Sequence, residues 1–222
     1  MNIFSSTRLR TALFCAAAAS AALLGACRAG APAYFGGTEP GKGAILVGIR
    51  LLDNSEELKE GRLRIDIESD EERYGLILHP GRTVLVQVEP GDYRLLPEKT
   101  LFGGARTDIS IVMKRRSYRM NFPRDLLRME ALPVKPGKVA AMGFIEAKLL
   151  PHAPGERPKI LLRLDSSVDA RRQNISDLIA RMMDPQTPQS LREGAVSWAR
   201  PLEQALVRVQ GEKDSAPSYL AP

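Results

Sequence analysis

The chain has 222 residues, 32 lysines and arginines against 26 acids, 44% hydrophobic and 5% aromatic side chains, and two cysteines. That length can bury one sizeable core, or one domain with an appendage. A formal charge of +6 spread along the sequence is no nucleic-acid footprint, and so few aromatic rings argue against a carbohydrate-stacking platform.

The N-terminus carries Arg8 and Arg10, an uncharged and largely apolar run from Thr11 to Leu24, and then Gly25-Ala26-Cys27. The run is shorter than the ~20 apolar residues that a membrane span needs. A basic start, a short apolar stretch and small residues before a cut site predict a secretory signal. With a cysteine directly after the small pair, Leu24-Gly25-Ala26-Cys27 resembles the lipobox of bacterial lipoproteins. The resemblance implies a signal peptide over 1–26 and a diacylglyceryl lipid with palmitate-type chains on Cys27. The mature protein then sits on a membrane without spanning it. Each buried methylene contributes ~0.8 kcal/mol, and more than one acyl chain makes such anchoring stable. Arg28 follows the cysteine where an aspartate would favour inner-membrane retention in enteric-type bacteria, so the analogy points to the outer membrane. Cys15 falls in the segment to be removed, so no disulfide is expected in the mature domain. The alternative is an ordinary signal, with Cys27 an incidental thiol.

From Arg28 to Gly43 glycine, proline and alanine dominate without periodicity, which predicts a flexible tether with a typical span near ~20 Å. Ala44 to Leu51 is apolar at most positions, as in a strand buried on both faces. Arg62 to Glu68 alternates polar and apolar residues, the pattern of a strand with one wet face. Further strands are predicted at Tyr74–Leu78, Thr83–Val88, Tyr93–Leu96, Asp108–Met113, Tyr118–Phe122, Val139–Leu150 and Lys159–Leu164. Short strands with turn signals every 8–12 residues predict an antiparallel β-sandwich over 44–166.

Glu89-Pro90-Gly91-Asp92 and Lys135-Pro136-Gly137-Lys138 both set Pro-Gly between apolar runs, and each predicts a type II turn. A strand ending in Pro-Gly-x-Tyr, a later Val-x-Pro-Gly-Lys-Val, and Met142-Gly143-Phe144-Ile145 downstream resemble a group of uncharacterised bacterial lipoproteins. Those carry a small prealbumin-like, carboxypeptidase-regulatory-like β-sandwich. The likeness covers roughly Val84 to Leu164, and Ala140-Ala141 stand where an aromatic often follows Lys-Val. It implies a binding or scaffolding module with no known catalytic residues.

The final quarter, 167–211, changes to a helical period and predicts an appendage of one or two short helices. Asn174 can cap a helix with apolar positions at Ile175, Leu178, Ile179, Met182 and Met183. Thr187-Pro188 offers a second start, and Leu191, Ala195, Trp198, Leu202, Ala205 and Val209 form one stripe. Pro201 would clash with the Ser197 carbonyl, which predicts a kink or break near Arg200. Residues 212–222 are expected to fray.

Candidate chemistry is sparse. His79 and His152 lie in turn-like, proline-flanked contexts, too few for a zinc site without carboxylates, and no Gly-x-Ser-x-Gly elbow supports a triad. Asp66, Glu68, Asp70, Glu71 and Glu72 gather oxygens that can bind calcium, yet lack the EF-hand spacing; they also read as solvated turn charges. Lys114, Arg115, Arg116 and Arg119 form the densest basic run, suited to an anionic membrane or envelope polymer, or equally to a charged edge that discourages aggregation. No catalytic residue, metal or cofactor is implied. The expectation is a lipid-anchored outer-membrane module that binds or scaffolds an envelope protein or anionic polymer without enzymatic activity. A carboxylate-dependent envelope hydrolase is the alternative.

Overall fold

The computed structural model describes residues 37–97, 108–153, 156, 158–187 and 189–212, without the side chains of residues 190, 191 and 193. The predicted signal, Cys27 and most of the predicted tether lie outside the described residues, as does the tail beyond residue 212.

The chain is mainly β, with two sheets of mostly antiparallel strands and C-terminal helices, as the patterning predicts. In order the elements are β1 (Gly43–Asp53), β2 (Glu56–Leu58), β3 (Gly61–Glu68), β4 (Arg73–Leu78), β5 (Val84–Val88), β6 (Gly91–Leu96), β7 (Asp108–Met113) and β8 (Arg116–Asn121). A one-turn helix α1 (Arg124–Leu127), β9 (Leu132–Val134), β10 (Val139–Leu149), β11 (Ile160–Asp165), α2 (Val168–Met183) and α3 (Gln189–Gly211) complete them. The first sheet runs β11-β10-β1-β2, with β5 also on β1; the second runs β8-β7-β3-β6-β9, with β4 on β3. β2, α1 and β9 are too short to leave a periodic signal, and β9 contains Pro133, at home on an edge strand.

One pairing departs from the antiparallel pattern. β1 and β10, the central strands of the first sheet, run parallel from Ala44↔Val139 to Asp53↔Leu149. Parallel strands buried on both faces read as near-continuous apolar runs, and both of these do. Their inward residues, Ile45, Val47, Ile49, Leu51, Ile145 and Ala147 among them, meet Leu63, Ile65, Ile67 and Ile111 of the second sheet. Their outward residues Ala44, Leu46, Val139 and Ala141 pack under Ile175, Leu178 and Met182 of α2 and Trp198, Leu202, Ala205 and Val209 of α3. The helices therefore form a third layer on the first sheet.

Several expectations are corrected. α2 is capped nearly two turns before Asn174: Ser167 is its cap, its Oγ accepting from the Ala170 N–H at 3.2 Å. Asn174 is fully buried inside α2 and donates through Nδ2 to the Gly143 carbonyl at 2.5 Å. Gly143 sits at a register shift in the β1–β10 pairing, with φ of +97°. Met183, expected on the apolar stripe, is 76% exposed. The helices are not short, since α2 has 16 residues and α3 has 23. α3 continues through Pro201 without a break, because Trp198, Leu202, Ala205 and Val209 seat its inner face on the sheet on both sides of the proline. Of the two Pro-Gly turns, Lys135–Lys138 is type II, with Gly137 at φ +64° and the Lys138 N–H donating to the Lys135 carbonyl at 3.1 Å. Gly91 instead opens β6 without a positive φ.

Asp66 was expected on a wet face and is only 5% exposed. Arg73 on the adjacent strand satisfies it, donating to Asp66 at 2.5 Å, to Glu68 at 3.1 Å and to the Pro97 carbonyl at 2.6 Å.

Candidate functional site

The predicted tether is held to the domain over its last residues. The Thr38 N–H donates to Ser197 Oγ at 3.0 Å, and the Glu39 N–H to Gln87 Oε1 at 2.7 Å. Gln87 Nε2 returns a bond to the Gly37 carbonyl at 2.9 Å. Lys42 pairs with Glu39 at 2.7 Å, and that hydrogen bond raises the lysine's pKa. Its carbonyl accepts from the Gly137 N–H at 2.8 Å. Residues 37–43 are thus part of the folded unit, and they run beside the Lys135–Lys138 turn and α3.

At that same end of the domain lies a groove of about 490 Å³. Its floor is apolar: Leu132, Pro133, Val139, Ala140 and Ala141 from β9 and β10, and Ala205 and Val209 from α3. Leu132 and Pro133 of this lining are open to solvent, while Val139, Ala140, Ala141, Ala205 and Val209 are buried. Its walls carry four cations, Lys135 and Lys138 from the turn, Arg171 from α2 and Arg208 from the last turns of α3, against one carboxylate, Glu212. Two of the cations are already positioned. Lys138 Nζ donates to Gln204 Oε1 at 2.8 Å, and Arg171 pairs with Glu212 at 2.6 Å. Arg171 Nε is buried with no hydrogen-bond partner among the described residues. Lys135 and Arg208 form no ion pair among the described residues. A volume in the range of small-molecule sites, an apolar floor and a few convergent charges make this the candidate binding site.

A smaller hollow of about 220 Å³ lies alongside, between the docked segment Thr38–Gly43 and Trp198 and Pro201, with Lys138 shared.

The residues singled out from sequence sit elsewhere. Lys114 and Arg115 form the two-residue loop between β7 and β8, both with positive φ, 49° and 61°, the type I′ geometry of a tight hairpin. Lys114 is ion-paired with Asp53, and that bond raises its pKa. Arg119 pairs with Asp108 at 3.1 Å, while Arg115 and Arg116 are exposed. Because Asp53 ends β1 and Gly43 begins it, this hairpin lies about 30 Å from the docked segment, at ~3.3 Å per residue. The basic run and the groove occupy opposite ends of the domain.

The acidic cluster is divided rather than convergent. Arg73 takes Asp66 and Glu68, while Tyr74 donates to Glu72. Among the described residues no group of three His, Cys, Asp or Glu side chains is placed to hold a metal. A second acid pair, Glu146 and Asp165, converges on Arg50 at 3.3 and 3.5 Å. Arg50 also donates to Gln173 at 2.6 Å and stacks 4.1 Å above the Phe144 ring, tying β1, β10, β11 and α2 together. His79 Nδ1 lies 3.0 Å from the Gly61 carbonyl, and His152 is exposed near the Leu150 carbonyl, so the histidines are not brought together. No helix among the described residues is long and apolar enough to cross a membrane.

Comparison with protein-family models, with curated proteins and with solved structures finds no match.

The groove cations were not legible in the sequence as a set. Lys135 and Lys138 flank a recognisable turn, but Arg171 and Arg208 lie on separate helices, and nothing in their spacing joins them.

Proposed function

We propose that this chain is an exported lipoprotein, anchored in the outer membrane through Cys27, whose sandwich domain is a non-enzymatic binding module of the envelope. The basic-walled groove carries the binding part of that reading, because it offers volume, apolar contact and uncommitted charge at one place. The lipobox-like Leu24–Cys27 carries the anchor. The prealbumin-like resemblance of the sequence supports a ligand-binding or scaffolding role. Carboxylates at work as general acid and base need freedom to exchange protons, whereas the two close acid pairs here are each held by an arginine, Arg73 or Arg50.

The test joins metabolic labelling with an alkyne fatty acid to in-cell crosslinking, for the full chain and for Cys27→Ala. Labelling at Cys27, membrane retention and a discrete crosslinked species, all lost in Cys27→Ala, are expected. An unlabelled chain that is released from the membrane fraction would refute the anchor. Substrate turnover by the pure protein, lost on a single side-chain change, would refute the non-enzymatic reading.

A further inference from the structure

We infer that the groove between α3 and the β9–β10 turn binds an anionic amphiphile: a phosphate or carboxylate head on the four cations and a short apolar body along Leu132 and Pro133, the apolar lining open to solvent. This rests on the reading of the chain as a binding module and names the ligand class for its groove. Charge complementarity sets the head. Four cations face one carboxylate, and the planar fork of arginine suits a two-oxygen anion. Arg171 is the key group. Its side chain is 20% exposed, its far end is fixed by Glu212, and its Nε–H is buried without an acceptor among the described residues. The fifth of the side chain left open presents the guanidinium edge to an incoming anionic oxygen. The rim sets the body, since half-buried Leu132 and exposed Pro133 offer apolar surface that a bare phosphate would leave unused.

Position narrows the source. The groove lies beside Lys42 and Gly43, where the docked segment enters the domain. Between Cys27 and Gly37 only residues 28–36 intervene, at most about 36 Å when fully extended. A lipid on Cys27 would therefore leave the docked segment, and the groove beside it, within that reach of the anchor. The same chemistry is found in a membrane phospholipid headgroup and in a free alkyl phosphate or fatty acid.

The experiment is calorimetric titration of the full chain in zwitterionic lipid nanodiscs with hexyl phosphate, with inorganic phosphate and hexanol as separate probes. Saturable binding of one hexyl phosphate per chain is expected, with both fragments at least about tenfold weaker. Arg171→Gln and Arg208→Gln should each weaken hexyl phosphate about tenfold, exposed Arg208→Gln without moving the melting temperature, and Pro133→Asp should weaken it by setting a carboxylate on the open rim. Arg115→Gln/Arg116→Gln, at the far hairpin, should change nothing. Absence of saturation, equal binding of inorganic phosphate, or binding indifferent to Arg171 and Arg208 overturns the inference. Repeating the titration with phosphatidylglycerol in the nanodisc separates the sources: competition assigns the membrane headgroup, and unchanged binding rejects it in favour of a free amphiphile. Failure of Cys27 labelling with hexyl phosphate binding intact would remove the anchor and leave the groove assignment standing.

Discussion

Gly143→Ala is the substitution that most sharply tests how the helical layer is joined to the sheets. Gly143 has φ of +97° at the register shift of β10, and its carbonyl accepts the Asn174 side chain from α2. A Cβ there would be driven into the backbone carbonyl of Asp165 at the end of β11, where no flexible side chain can give way. Positive φ alone costs a non-glycine residue about 1–2 kcal/mol. Gly137 isolates that term, because its φ of +64° is comparable in sign and nothing lies within 4 Å of a Cβ built on it. Gly137→Ala should therefore lose about 1–2 kcal/mol. Gly143→Ala adds displacement of the Asp165 strand end and loss of the buried Asn174 bond, bringing the total to at least about 3–5 kcal/mol. For a domain of this size each kcal/mol moves the melting temperature by roughly 2–4 °C. Thermal unfolding followed by far-ultraviolet circular dichroism should give a loss of roughly 2–8 °C for Gly137→Ala and a larger one, roughly 6–20 °C in total, for Gly143→Ala. Equal shifts for the two variants would refute the claim that close approach of β11, rather than backbone conformation alone, demands glycine at this position.

Arg73→Met should cost about 3 kcal/mol by removing the ion pair that nearly buried Asp66 makes with it, and Asp66→Asn/Arg73→Met should recover more than half of it; chemical denaturation of both variants decides, and no recovery would mean that Arg73 acts through packing alone. Trp198→Ala should cost about 3–5 kcal/mol, since the ring is buried between α3 and the first sheet; a loss below about 1 kcal/mol would show that the helical layer is not integral to the fold. Burial, and then the hydrogen bond to Glu72, raise the Tyr74 pKa, and burial raises that of Tyr93. A raised folded-state pKa contributes stability that is complete below about pH 10 and lost as pH rises through the folded value. The melting temperature should accordingly fall above pH 10, and fall less steeply in Tyr74→Phe; parallel curves for the two proteins would remove Tyr74 from that account.

Local chemistry determined the elements. Alternation and β-branched residues placed the longer strands to within a residue or two, Lys135-Pro136-Gly137-Lys138 specified its turn, and the stripe of Trp198, Leu202, Ala205 and Val209 specified which face of α3 is buried. These signals are legible because each depends on neighbours within a turn or a strand. What the tertiary structure decided depends on partners far apart in sequence. The parallel pairing of β1 with β10 joins Ala44 to Val139, and a burial pattern fixes which face points inward without fixing strand direction. Asn174 satisfies a helix cap as a residue type, yet it serves inside α2 because Gly143 presents a carbonyl across the layer. Asp66 follows the alternation of a wet strand, yet it is covered because Arg73 neutralises it. The groove is the clearest case, since Lys135, Lys138, Arg171 and Arg208 come from a turn and two helices and meet only when those helices lie on the sheet. Charges so separated leave no spacing to read, whereas Lys114, Arg115 and Arg116, adjacent in sequence, announce themselves and then point away from the groove.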